Sequence, residues 1–370
     1  MAIPIFCLSA ALLLYVLFGY PLVLLTLARL AAKPVRKEFS RRSVSIILPV
    51  RNGERWIEAK LRCLLELDYP RSLIEIIVIS DGSADRTAEL VRRFEGVRLI
   101  EIPAGGKAAA LNAGLAQATG EILFFTDVRQ RLDPSSLSNL VACFADPRIG
   151  VVSGELVILD GSSSEEANTS LYWRYEKWIR KALSALGSIP GATGCIYAMR
   201  RELAVPLPQD TINDDMYEPL AAYFRGYRVV LEESAKAYDD PTSLNAEFRR
   251  KVRTLAGVYQ IIGQYPALLS PRHGIWIHFV SHKLGRLLLP FALIGVAIGS
   301  FWLPQPWNML ALAAQGVFYG LAAADLILPE TPFVKRVTSP VRAFVVLMAA
   351  AFCASSILFR DARTFWGPTR

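Results

Sequence analysis

Residues 44–54 read Val44-Ser45-Ile46-Ile47-Leu48-Pro49-Val50-Arg51-Asn52-Gly53-Glu54, an apolar, β-branched run that stops abruptly in a polar cluster. Continuous rather than alternating apolar residues mark a strand covered on both faces. The pattern recurs along the chain. Ile74 to Ile79 is followed by Ser80-Asp81-Gly82-Ser83, Val97 to Ile102 by Gly105-Gly106-Lys107, and Glu121 to Phe125 by Thr126-Asp127-Val128-Arg129. Trp56 to Leu67, Arg86 to Phe94 and Ala108 to Ala118 have helical or amphipathic character between them. Alternating strand and helix predict an α/β domain with a mostly parallel sheet flanked by helices. Open sheets of this kind bind ligands beyond the carboxyl ends of their strands, where each polar cluster falls. A generic α/β core with polar loop ends predicts the same sheet without dictating the chemistry of every loop.

The 370 residues are 53% hydrophobic and 20% charged, with mean hydropathy +0.32, a balance that suits a chain part globular and part membrane. Met1 to Ala28 carries no charge and exceeds the roughly 20 residues that span a bilayer. A cleaved signal peptide is the competing reading, but a basic leader is missing and the apolar stretch outruns the roughly 7 to 15 residues usual there. Arg29, Lys33, Arg36, Lys37, Arg41 and Arg42 form the basic flank expected on the cytoplasmic side, which puts the amino terminus outside. Leu287 to Ala324 is again uncharged and is interrupted by Pro304-Gln305-Pro306, so two helices joined by a tight turn fit it better than one. Ala343 to Phe359 supplies a further apolar segment. The expected organisation is an amino-terminal transmembrane helix over residues 1–30, a cytosolic domain over 31–270 and a carboxy-terminal membrane region over 271–370 with three apolar helices. The basic tail Arg360 to Arg370 then lies outside, against the positive-inside rule, unless the last segment is interfacial or re-entrant.

The net charge of +8 calls for no nucleic-acid partner, because much of the excess flanks membrane segments, where anionic headgroups attract it. Five scattered cysteines point to a reduced compartment without disulfides. Leu171 to Lys181, within an amphipathic helix at about 169–185, interleaves Trp and Tyr with Arg and Lys; it suits the headgroup region, though an ordinary surface helix reads the same way. His273, His278 and His282 have no convincing metal spacing and read as interfacial or structural.

Each loop carries its own chemistry. Asp81 can accept hydrogen bonds from a base or ribose, while Asp, Gly and Ser equally make an ordinary turn and Asp85 an ordinary cap. Lys107, at a glycine turn and helix start, suits an anionic group or simply solvent. Asp127, delivered by an almost wholly apolar strand, is the candidate ligand for a hard cation such as Mg2+ or Mn2+, with a helix cap as the alternative. Asn213-Asp214-Asp215 falls in a polar stretch after Pro206 and Pro208, read as a loop whose paired acids raise one another's proton affinity and can supply a general base.

In this order the clusters resemble the membrane-bound family 2 glycosyltransferases, inverting enzymes of the GT-A fold that include cellulose-synthase-like and hyaluronan-synthase-like proteins. The resemblance covers roughly residues 43 to 260. It implies a Rossmann-like GT-A domain in which Pro49, Arg51, Asn52, Glu54, Asp81, Ser83 and Lys107 bind a nucleotide-sugar. Asp127 is then the first acid of the metal-binding Asp-x-Asp motif. Gly191, Thr193 and Gly194 shape the acceptor site, and Asp214 and Asp215 form the catalytic-base motif, Asp215 taking the acceptor proton. UDP is the usual donor nucleotide by the same resemblance, a saccharide or lipid-linked saccharide the acceptor, and membrane lipids the surroundings. A narrow conduit of so few spans points to a homodimer or a secretion partner.

Two departures stand out. Arg129 occupies the place of the second metal-binding acid; a guanidinium cannot bind a cation but can pair with a diphosphate. In place of the Gln-x-x-Arg-Trp motif of processive synthases the chain has Glu247-Phe248-Arg249-Arg250-Lys251, in which only Arg250 matches, and this implies transfer of one or a few sugars. A sugar nucleotidyltransferase lacks a reason for the membrane segments. The rival from another class is a non-catalytic nucleotide-sugar-binding subunit of an assembly complex, which would not need Asp215.

Overall fold

The computed structural model describes residues 2–159, 164–240, 244–328 and 332–365. It divides into two compact units: residues 31–159 with 183–240, and residues 1–30 with 160–182 and 241–370.

In the first unit β1 Val44–Val50, β2 Ile74–Asp81, β3 Val97–Ile102, β4 Ile122–Thr126, β5 Arg131–Leu132, β6 Ile149–Ile158, β7 Ile196–Arg200 and β8 Arg228–Asp239 form one sheet, ordered β3-β2-β1-β4-β7-β6-β8-β5. The pairs β1–β2, β2–β3 and β1–β4 are parallel, as the continuous apolar runs predict. Ile46, Ile47 and Leu48 are fully buried, and the helix Lys107–Leu115 lies close on the sheet at Gly114, where a Cβ would come within 2.8 Å of both Ile47 and Ile79 side chains. Strand β7 runs antiparallel between β4 and β6, pairing Thr126 with Ile196. That register decides the site. It brings the segment before β7, Gly191 to Cys195, to the same end of the sheet as the carboxyl end of β4 and Asp127.

Three helices of the second unit are long and apolar enough to cross a membrane among the described residues: Ile3–Leu30, Trp276–Ser300 and Val334–Leu358. The helix Trp307–Ala324, with 18 residues, is the third apolar helix of the carboxy-terminal region and is not among these three. Prolines 304 and 306 separate it from the helix Gly285–Ser300, as their place in the sequence predicts. Asp325, buried at its end, accepts hydrogen bonds from Thr338 and Ser339 and pairs with Lys335 and Arg342, fastening it to the helix Pro332–Ala354. The amphipathic segment is helical over Ser164–Leu186; its Tyr172 and Trp173 side chains lie outside the described residues. From this helix the buried Glu176 meets Arg286 at 2.6 Å and His282 at 3.4 Å.

Candidate functional site

The loops after β1 and β2 are laced together. Asn52, in the left-handed region at φ 51°, accepts the Ala84 amide at 2.9 Å, and its own amide donates to Ser83 Oγ at 3.1 Å. Glu54 accepts the Arg86 amide at 3.1 Å, while Asp85 accepts the Glu54 amide and, at the start of the helix Thr87–Val91, the Thr87 amide. The side chains of Asn52, Glu54 and Ser83 therefore shape the rim of the expected donor site by bonding loop to loop. Asp81, buried at the end of β2, accepts the Gly105 amide at 2.6 Å and the Gly106 amide at 3.0 Å. Gly82 must be glycine on two counts: φ is 58°, and a Cβ would stand 2.7 Å from the Ala104 nitrogen. The Asp81 carboxylate thus fixes the turn that launches Lys107.

Lys107 opens the helix Lys107–Leu115 and points its ammonium between two acids, 3.2 Å from Asp127 Oδ1 and 3.1 Å from Asp214 Oδ2. Burial alone would lower its proton affinity; Asp127, Asp214 and Asp215 overcome that and hold it above the ordinary lysine range. Asp127 leads into a turn and the short β5 rather than a helix, so capping is not its role. Asp214 and Asp215 are likewise not in a loop: they form the first turn of the helix Asp214–Phe224, whose amide ends favour negative charge, and Lys107 neutralises Asp214. The Ala192 amide donates to the Asp215 carbonyl at 2.7 Å. A Cβ on Gly191 would strike Met216 at 2.6 Å, and one on Gly194 would lie 3.2 Å from Asp215 Oδ2. The glycine segment before β7 is thereby folded against the two acids, and Thr193 ties it to β6 through Ser153 and the Gly154 carbonyl.

Arg129 turns to Asp239, a buried acid at the end of β8, at 2.6 Å, and Gln130 donates to the same oxygen at 2.8 Å. Arg250 lies in the other unit, on the helix Leu244–Gln264, paired with Glu247. Pro49 lies near the carboxyl end of β1 and Arg51 follows directly after it.

Among the described residues no group of three His, Cys, Asp or Glu side chains is placed to hold a metal. One partly exposed carboxylate, Asp127, nevertheless fits a cation that arrives with a diphosphate, since Mg2+ is commonly held by one or two carboxylates with phosphate oxygens and water.

Sequence reasoning passed over four groups. Lys60, buried, donates from beneath to Thr126 Oγ1 and to the Gln130 carbonyl, each at 2.7 Å. Asp239 holds Arg129. Tyr197 stacks on Phe125 at 4.5 Å with its buried hydroxyl unpartnered among the described residues, and Glu218 lies fully buried one turn beyond Asp214. Burial, with Asp214 adding to it, raises the Glu218 carboxyl to about 8. Lys60 and Glu218 sit in amphipathic helices, where only tertiary packing shows that a charged residue points inward. Burial also pushes the Cys195 thiol up to about 12, which leaves no thiolate beside Asp127.

Residues 45–205, which run from β1 through the loops, the glycine segment and β7, match the model of the family described as glycosyl transferase family 2. The chain carries a family 2 glycosyltransferase domain. Across 229 residues it is 26% identical to the poly-beta-1,6-N-acetyl-D-glucosamine synthase of Staphylococcus aureus (strain COL), over 59% of this chain and 55% of that protein. It is 24% identical to the probable glycosyltransferase YdaM of Bacillus subtilis (strain 168), over 60% of this chain and 57% of that one. The chain thus matches little more than half the length of these curated relatives. A solved structure of the mannosyltransferase PcManGT from Pyrobaculum calidifontis, in complex with GDP-Man and Mn2+, superposes at TM-score 0.74 with 25% identity, over 96% of this chain and 99% of that one. The family 2 domain therefore has the GT-A architecture that the resemblance implies.

Proposed function

We propose that the protein is an inverting glycosyltransferase that moves a sugar from a nucleoside diphosphate sugar to a saccharide or lipid-linked acceptor at the cytoplasmic membrane face, in the synthesis of cell-surface or extracellular polysaccharide. The observation that carries this reading is Lys107, whose ammonium bridges Asp127 on the donor side and Asp214 beside the expected base. An anion-binding lysine and a pair of helix-start acids within one cluster are what a single displacement needs: charge compensation for a departing diphosphate and a base for the attacking hydroxyl.

In this mechanism the loops after β1 and β2 and the Asp81-braced glycine turn hold the nucleotide. Lys107 exchanges carboxylate partners for diphosphate oxygens, and Arg129, half exposed at the same rim, supplies a second cation. The acceptor hydroxyl rests on the glycine segment, and Asp215 takes its proton as the oxygen attacks the anomeric carbon. A divalent cation, held by Asp127 with the donor's own oxygens, would neutralise negative charge on the diphosphate; the neighbour PcManGT was solved with Mn2+ and GDP-Man, which supports both the cation and the donor class. The polysaccharide assignment takes its support from the staphylococcal synthase relative, and the membrane face from the apolar helices and the basic flank after Leu30. Domain bounds of 1–30, 31–270 and 271–370, and an outside amino terminus, belong to the same reading.

The test is a donor screen on detergent-purified protein with UDP-, GDP- and dTDP-sugars, each with manganese, magnesium or chelator. One donor turned over, with product of inverted anomeric configuration, is the expected result. Tight nucleotide-sugar binding without turnover, in the presence of membrane-extracted acceptors, would favour the non-catalytic subunit instead.

A further inference from the structure

Lys60 is a lysine where a lysine is costly. It belongs to the helix Ile57–Leu65, is 2% exposed, and among the described residues pairs with no carboxylate. A buried ammonium without a counter-ion loses its hydration for hydrogen bonds alone, so an apolar residue of similar length would serve the core better. What the ammonium does is specific. Its two bonds end on Thr126 Oγ1 and on the Gln130 carbonyl, on either side of Asp127 and Arg129. From those two ends the network continues. Thr126 Oγ1 donates to the Cys195 carbonyl at 2.9 Å, immediately after the glycine that lies against Asp215. The Gln130 side chain reaches Asp239, the partner of Arg129.

We propose that Lys60 is a positioning residue: its ammonium pins the Thr126–Gln130 turn from below and sets Asp127 and Arg129 at a fixed distance from the acceptor segment that backs Asp215. The proposal rests on the glycosyltransferase reading for its catalytic consequence, but not for its structural content. Between β4 and β5 the two hydrogen bonds from one helix hold both ends of the turn. The nucleoside half of the donor, held by the β1 and β2 loops, does not depend on this turn, which meets the donor only at its diphosphate. Alignment of the two substrates does, and misplacement by a fraction of an ångström is felt in the chemical step more than in binding.

The test uses the full-length protein with Lys60→Met, which keeps the side chain's length and removes its donors, and Thr126→Val, which removes the hydroxyl at the other end of the bond. Amide hydrogen exchange is followed in peptides covering 127–131, with peptides from β2 as internal reference, and turnover and donor KM are measured alongside. Both variants should lose protection at 127–131 by about tenfold or more with β2 unchanged, and turnover should fall about tenfold to a hundredfold, by a larger factor than donor KM rises. Unchanged protection at 127–131 in both variants would overturn the proposal whatever the activity. Should Lys60→Met not fold, Thr126→Val alone decides by the same readout. Lost protection in a protein whose wild type turns over no donor would leave the positioning role standing and refute the transferase reading.

Discussion

Lys107 Nζ stands 3.1 Å from Asp214 Oδ2, joining the glycine turn braced by Asp81 to the first turn of the helix that carries Asp215. With Asp127 on its other side, the ammonium joins the end of β4 to the start of the helix Asp214–Phe224.

Lys107→Met leaves Asp127 and Asp214 without their common cation and takes a positive charge from the proposed diphosphate site. Turnover should fall by about a hundredfold or more, in line with the loss of a preorganised charge from a catalytic centre, with nucleotide affinity also reduced. Steady-state kinetics and calorimetric titration with the nucleoside diphosphate check both halves. Wild-type turnover in the variant would remove Lys107 from the mechanism.

Gly194→Ala places a methyl group 3.2 Å from Asp215 Oδ2, tighter than ordinary contact, so the carboxylate must yield by a few tenths of an ångström. About a tenfold loss of turnover is expected, with little change in unfolding temperature, because the displaced atom is the proposed base and not a packed core group.

Arg129→Asp restores the acid usual at this position in the family, yet it should not restore a better site. The new carboxylate would lie beside Asp239, which is buried, loses its guanidinium and is left facing a like charge. Lower stability and lower turnover are expected together. Arg129→Asp with Asp239→Asn should recover stability relative to the single variant, which thermal unfolding would reveal.

These relationships mark how far the sequence could be read. The parallel half was legible because each of its strands is a continuous apolar run closed by a polar cluster: β1 and β3 fall on their expected bounds, and β2 and β4 within a residue or two. The mixed half, in which β7 runs antiparallel while β6 and β8 pair in parallel, was not. Strands β6 and β8 pair with register shifts near Gly150 and Gly154, and their polar residues, Glu155 and Lys236 among them, blur the apolar signal. Asp214 and Asp215 read as a loop because prolines precede them, whereas their helix begins only after Asn213. The Arg129–Asp239 pair spans 110 residues, and nothing local foretells it. Lys60 was hidden by its surroundings in a charged helix, Glu58 and Arg62 at its sides, until packing turned it inward.

Stability should also carry a signature of Glu218. Burial raises its carboxyl from the ordinary 4.5 to about 8, so the native state keeps a proton that the unfolded chain releases. The native state binds more protons between those values; stability from this group therefore falls as pH rises from about 4.5 to about 8 and is level beyond. Glu218→Gln removes the titration and can keep an acceptor for the Val205 amide. Its unfolding temperature relative to wild type should be higher at pH 9 than at pH 5. An equal difference at both values would show that Glu218 is ionised in the folded protein.

Asp215→Asn keeps the shape of the side chain but cannot take a proton, so it separates removal of the acceptor proton by Asp215 from substrate binding. Donor binding by calorimetry and sugar transfer by product analysis are measured on the same purified protein. The account predicts binding within about threefold of wild type and transfer reduced by at least about a hundredfold. Transfer at the wild-type rate would contradict it.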